Sequence, residues 1–181
     1  RLNSIITNFL SYARPMTANF SDVNIGEAID DTITLLKHSP DVKEHHTLIS
    51  DVGDVPITIS ADITQLKQIF WNLSRNALQA MPDGGELTVN VEPIPNNRIR
   101  ITFADTGIGM TPDQVEQLFE PFSNSTTGGT GLGLVISRQL AQLMGGSISL
   151  DSRPGSGTTV ALELSLPVAD ALPESAGSVR A

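Results

Sequence analysis

"ELTVNVEPIPNNRIRITFAD", residues Glu86 to Asp105, alternates apolar and polar side chains on either side of the break "PNN". Leu87, Val89 and Val91 share one face of the first run, and Ile99, Ile101 and Phe103 share one face of the second. A period of two is strand spacing, so two such runs across a short polar break predict a hairpin with one buried face. Outward from it, Asp62 is a good N-cap for a long helix reaching Met81. Ile63, Leu66, Phe70, Leu73, Ala77 and Leu78 form its apolar face, and "MPDGG" ends it in a turn. A helix is expected over Gly26–His38, strands in "HTLISDV" and "VPITIS", and a short helix after Pro112. Another helix runs to Met144 before Gly145-Gly146, and the strands "SISLDS" and "TTVALELSL" flank "RPGSG". Helices set between groups of strands predict an α/β (α+β) two-layer sandwich, a mixed, mainly antiparallel sheet with helices on one face.

At the ends the pattern changes. Leu2, Ile5, Phe9, Tyr12 and Ala13 have helical spacing that stops at Pro15, and this stripe has nothing of its own to bury against. It is expected to pair with a helix from elsewhere in a longer parent, or with a second copy, since the chain opens on Arg1 rather than Met. The expected organisation is a helix over 1–15, a linker over 16–22, the main domain over 23–166 and a disordered tail over 167–181. The net charge of −9 leaves no broad basic face for nucleic acid or anionic lipid. With no cysteine, disulfides, thiolate metal sites and cysteine nucleophiles are excluded. No run approaches membrane-spanning length and no signal-peptide pattern is present, so a cytoplasmic setting is expected.

Three stretches carry chemistry. "GGTGLGL", Gly128 to Leu134, is not a P-loop, because Gly133 is followed by Leu134 and Val135 rather than Lys and a hydroxyl residue. Nor is it a dinucleotide fingerprint, because the third glycine position is Ile136. Phosphate at the free amides of a helix N-terminus remains, beside a plain turn. Asp105 ends a strand before "TGIGM", where Gly107 and Gly109 free the backbone. Its carboxylate suits a ligand amine such as that of adenine, whereas guanine carries a carbonyl there. An Asp-Thr-Gly turn is the other reading. Along the long helix, Gln65, Gln68, Asn72, Asn76 and Gln79 form an all-amide stripe whose hard oxygens suit Mg²⁺ or phosphate-bound water, or else a polar face with no task.

"NLSRNALQAM", "DTGIGM", "FEPF", "GGTGLGL" and "GSGTT" occur in an order and spacing that resembles the catalytic ATP-binding domain of sensor histidine kinases, within the GHKL superfamily and its Bergerat fold. The resemblance covers about residues 20–166. "RLNSIITNFLSYARP" is similar to the end of the second dimerisation and phosphoacceptor helix in nitrogen-regulation-type kinases. The resemblance implies ATP and Mg²⁺, with Asn76 as the metal ligand and Asp105 on the adenine amine. It implies that Gly107, Gly109 and Met110 line the pocket and that Phe119 and Phe122 lead into a lid. Thr130, Gly131, Leu132 and Gly133 lie at the phosphates, Gln79 stands beside the nucleotide, and Thr158 supports Asp105 through water. ATP-hydrolysing members carry a Glu one turn before the metal-binding Asn; Asn72 stands there and cannot act as a general base. That favours γ-phosphate transfer to a histidine over hydrolysis, with Asn72 and Asn76 as the catalytic pair. The implied partners are the parent's own phosphoacceptor domain, a response regulator and, for the full-length protein, a second copy. The acceptor box is absent, and His38, His45 and His46 are expected at the surface. The lid "SNSTTGG" lacks Lys and Arg, which leaves Arg75 and Arg138 as candidate substitutes. A degenerate nucleotide-binding module is the alternative, and a GHKL ATPase a less favoured one.

Overall fold

In the computed structural model, residues 18–53, 56–118 and 133–166 are described. The hairpin read from Glu86–Asp105 is the middle of a five-stranded sheet. Its strands are β2 (His46–Asp51), β4 (Gly85–Ile94), β5 (Arg98–Asp105), β6 (Ser147–Arg153) and β7 (Gly157–Ser165), ordered β2-β4-β5-β7-β6. β4, β5, β7 and β6 are antiparallel neighbours, whereas β2 lies parallel to β4. A parallel pair needs a crossover. The chain supplies it through β3 (Thr58–Ala61) and the long helix α2 (Ile63–Gln79).

Register places the apolar sets on one face: Val89 opposite Phe103, Val91 opposite Ile101, and Ile101 opposite Leu162, all buried. The other face is polar. Arg100 reaches Glu163 at 2.9 Å and Glu92 at 3.1 Å, and Arg98 reaches Glu163 at 3.0 Å. One buried face requires one covering layer, made by α1 (Ile25–Lys37), α2 and α4 (Gly133–Leu143). Phe70 of α2 meets Phe103 of β5 with ring centroids 5.7 Å apart. The short helix α3 (Pro112–Gln117) starts with a capping box between Thr111 and Gln114. Two-layer architecture and mixed sheet are therefore as expected.

The helix ends follow local chemistry. Asp62 Oδ1 accepts the N–H groups of Thr64 and Gln65, while Oδ2 accepts Asn19 N–H at 2.8 Å. Burial raises the Asp62 pKa, but these three N–H donors outweigh it and hold the carboxyl below its ordinary value. α4 closes in a Schellman motif: Gly146 N–H donates to Ala141 O, Gly145 N–H to Gln142 O, and Gly145 has φ +70°.

Several boundaries differ from the sequence reading. α1 starts at Ile25, because Asn24 accepts the Glu27 N–H and serves as N-cap, and α2 ends at Gln79. The expected linker is partly strand, since Ser21–Asn24 form β1, paired antiparallel with β3 in a separate two-stranded sheet. A short segment with only Val23 buried carries no periodic signal; its partner strand lies far along the chain. The helix expected over 1–15 and the tail over 167–181 lie outside the described residues.

Candidate functional site

β5 delivers Asp105 to the inner, helix-covered face of the sheet, in line with Phe103 and Ile101. Its Oδ1 accepts two backbone N–H groups, from Gly107 at 2.8 Å and Thr158 at 3.2 Å. Oδ2 has no hydrogen-bond partner among the described residues, so the half-buried carboxylate turns one free acceptor outward. Burial pushes the Asp105 pKa up, and the two N–H bonds offset this only in part. Close approach of three loops builds the surroundings. A side chain at Gly107 would meet Ala80 O at 2.5 Å, one at Gly109 would strike the Arg153 carbonyl, and one at Gly157 the Asp105 carbonyl. Gly109 and Gly157 also have φ of +65° and +87°, which glycine adopts freely.

The "TGIGM" loop is anchored on both sides. Ile108 N–H donates to Ala80 O at the C-terminal end of α2, and Met110 N–H donates to Ser152 Oγ of β6. Ser152 Oγ lies 2.9 Å from Thr158 Oγ1. The turn before β2 braces the same corner: His46 Nδ1 accepts Lys43 N–H, so its Nε2–H donates to Met81 O at 2.8 Å.

Further back along α2, Asn72 Nδ2 donates to Gly133 O at 3.2 Å and Ser137 Oγ at 3.3 Å, so the first turn of α4 packs against the middle of α2. Asn76, one helical turn on, is exposed and its side chain has no partner among the described residues. α2 thus touches the Asp105 loop at Ala80 and the N-terminal turn of α4 at Asn72. These points are about 12 Å apart along the helix axis at 1.5 Å per residue. That is the scale of a nucleoside triphosphate rather than of a lone phosphate.

Of the residues expected at the site, the structure gathers Asp105, Gly107, Gly109, Met110 and Thr158 at one end of α2, with Gln79 half-buried in its last turn. Asn72, which meets Gly133, lies about two turns back along α2, with Asn76 between it and that end. Phe119, Phe122, Thr130, Gly131, Leu132 and the "SNSTTGG" lid lie outside the described residues. Arg75 is held by Asp41 at 2.7 Å, on the connection between α1 and β2, and Arg138 is exposed on α4. His38 and His45 are exposed, but His46 is half-buried in the brace just described, contrary to the surface position expected for it. Ala80, His46, Ser137 and Ser152 escaped the sequence reading. Each acts through a backbone contact or one hydroxyl, and a single Ala, His or Ser has no spacing that marks it.

The residues present fit Mg²⁺ carried on a nucleotide. Asn76 presents an unpartnered amide, and Mg²⁺ is commonly held by few protein groups together with phosphates and waters. Among the described residues no group of three or more His, Cys, Asp or Glu could hold a metal by itself. A small cleft of about 180 Å³ lies elsewhere, between the start of α1 and the β2–β3 connection, lined by residues such as Asn24, Glu27, Asp30 and Val52.

The family model described as histidine kinase-, DNA gyrase B-, and HSP90-like ATPase matches residues 61–168. Sporulation kinase E of Bacillus subtilis (strain 168) is 35% identical over 168 residues, covering 93% of this chain and 22% of that protein. The chain spans between about a fifth and a third of the curated relatives it matches. Full-length ShkA in complex with AMPPNP superposes with a TM-score of 0.80 at 29% identity, over 90% of this chain and 35% of that one. The catalytic domain of histidine kinase ThkA superposes at 0.72 with 26% identity, over 81% of this chain and 95% of that one. No helix among the described residues is long and apolar enough to cross a membrane.

Proposed function

Given that the chain belongs to the histidine kinase-, DNA gyrase B-, and HSP90-like ATPase family, we propose that it is the ATP-binding catalytic domain of a sensor histidine kinase of nitrogen-regulation-like type. It passes the γ-phosphate of ATP to a histidine on the parent's separate dimerisation domain, from which a response regulator takes it. The parent works as a homodimer, and this domain faces the cytoplasm. The observation that carries the reading is α2, which brings an outward carboxylate oxygen and an N-terminal helix turn to opposite ends of one nucleotide-sized span.

Asp105 Oδ2 accepts the exocyclic N–H of adenine, held in place by the Gly107 and Thr158 N–H groups on Oδ1. The glycines and Met110 line the base, and Thr158 shapes its edge with Ser152. At the phosphate end, N–H groups of the α4 N-terminus carry partial positive charge toward the anion. Asn76 would hold Mg²⁺, which when bound neutralises phosphate oxygens and polarises the transferring group. Asn72 offers an amide where hydrolysing relatives need a carboxylate base, so water is left without activation and the acceptor imidazole supplies its own nucleophile.

The test combines the chain with Mg-ATP and a separately made histidine domain of the same parent. Label appearing on histidine is the expected result. Nucleotide binding without transfer would replace the kinase reading with a binding module, and phosphate release without acceptor would replace it with an ATPase.

A further inference from the structure

We propose that Ser137, on α4, is a positioning residue that, together with the Gly133 carbonyl, holds the Asn72 carboxamide in place and so presents Asn72 Oδ1 to the metal-phosphate end of the nucleotide. The proposal rests on the nucleotide reading above and goes beyond it by assigning a role to a residue outside every motif in the sequence.

The orientation follows from donor and acceptor arithmetic. Gly133 O can only accept, so the group that Asn72 turns toward it is the NH₂. Ser137 gives its one hydroxyl proton to the same carbonyl at 2.8 Å. Its oxygen lone pairs are then available to Asn72 Nδ2, at 3.3 Å. A serine returning its proton to the carbonyl four residues back is a common helical habit. The second bond, across to a different helix, is the part that habit does not explain. Ser137 is fully buried, so no solvent competes for it. Both oxygens that Asn72 Nδ2 faces belong to α4, and Oδ1 is the acceptor left over. Reversing the amide would set Oδ1 against the Gly133 carbonyl oxygen, two acceptors face to face with no proton between them. Asn76 lies one turn along the same face of α2, so the amides of Asn72 and Asn76 address one ligand region.

The proposal is tested on the whole chain by two measurements. In the unaltered protein without nucleotide, side-chain amide NMR should show the Asn72 Nδ2 protons exchanging with solvent much more slowly than those of exposed Asn76. In Ser137→Ala that protection should fall, and Ser137→Thr, which keeps the hydroxyl, should restore it. Calorimetry with AMPPNP, with Mg²⁺ and then in EDTA, gives the second. Ser137→Ala should reduce the Mg²⁺-dependent gain in affinity about three- to tenfold, the worth of one net hydrogen bond. Affinity in EDTA should stay within about twofold of the parent on the same argument. Equal exchange at Asn72 and Asn76 in the unaltered protein overturns the proposal, as does a Mg²⁺ gain unchanged in Ser137→Ala. If the unaltered chain shows no Mg²⁺ gain at all, the metal-nucleotide reading itself fails, and the positioning role falls with it.

Discussion

Asp105→Asn is the sharpest perturbation the site offers, because one nitrogen for one oxygen reverses the polarity of the atom that faces the ligand. Two N–H groups, from Gly107 at 2.8 Å and Thr158 at 3.2 Å, converge on Oδ1. In the variant only the amide oxygen can occupy that place, so the NH₂ is driven to the outward position of Oδ2. Both backbone bonds survive, and the fold should survive with them. What is lost is an acceptor for the adenine amine, replaced by a donor facing a donor. A hydrogen bond to a charged group is worth about 1.5–3 kcal/mol. A loss of about 2 kcal/mol corresponds to roughly 30-fold weaker binding. Calorimetry with an ATP analogue measures it, with a thermal melt as the control for folding. The same argument predicts a relative shift toward guanine nucleotides, whose carbonyl would accept from the new NH₂. ATP affinity within threefold of the parent, with no change in the ATP-to-GTP ratio, would refute the role given to Asp105.

Acid should weaken nucleotide binding earlier than an ordinary carboxylate would. Burial raises the Asp105 pKa above its ordinary 3.8, and with Oδ1 occupied by two N–H donors the proton goes to the ligand-facing Oδ2. Because the folded pKa is raised, the Asp105 contribution to stability without nucleotide is fully present below 3.8 and lost as pH rises through the folded value. Affinity and this part of stability therefore move in opposite directions with pH; parallel curves for Asp105→Asn and parent would contradict that. Asp62 has the other sign: its lowered pKa gives stability present above 3.8 and lost as pH falls through the folded value. Asp62→Ala removes an N-cap and should cost about 1–2 kcal/mol, a melting point lower by roughly 2–8 °C; an unchanged melt would exclude the cap as a stabiliser. Gly109→Ala drives a methyl group into the Arg153 carbonyl at φ +65°. It should cost about 1–3 kcal/mol in a urea titration and weaken nucleotide binding, and an unshifted midpoint would show the loop free to move.

Much of the architecture was legible because its signals are local. Alternation in Glu86–Asp105 announced two strands and their buried face, and Asp62 and the glycine pair 145–146 marked helix ends through bonds to neighbours a few residues away. β1 was not legible. Its partner β3 is more than thirty residues on, and four residues with one buried side chain carry no period. The same division runs through the site. Asp105, Asn76 and the glycines belong to ordered motifs, and it is the family resemblance of those motifs that implied ATP chemistry for them.

The amino-acid sequence by itself determined which groups are available: a carboxylate at the end of a strand, an amide stripe without Lys or Glu, and at position 72 an Asn, which cannot act as a base. Only the tertiary structure decided how they are used. Asn72 and Ser137 are 65 residues apart in the chain, yet one carbonyl at Gly133 brings them together. His46 and Ser152 brace the Asp105 corner from strands on opposite edges of the sheet. Such assignments depend on where a hydroxyl proton or a backbone carbonyl sits once distant segments pack, and no spacing along the chain encodes that.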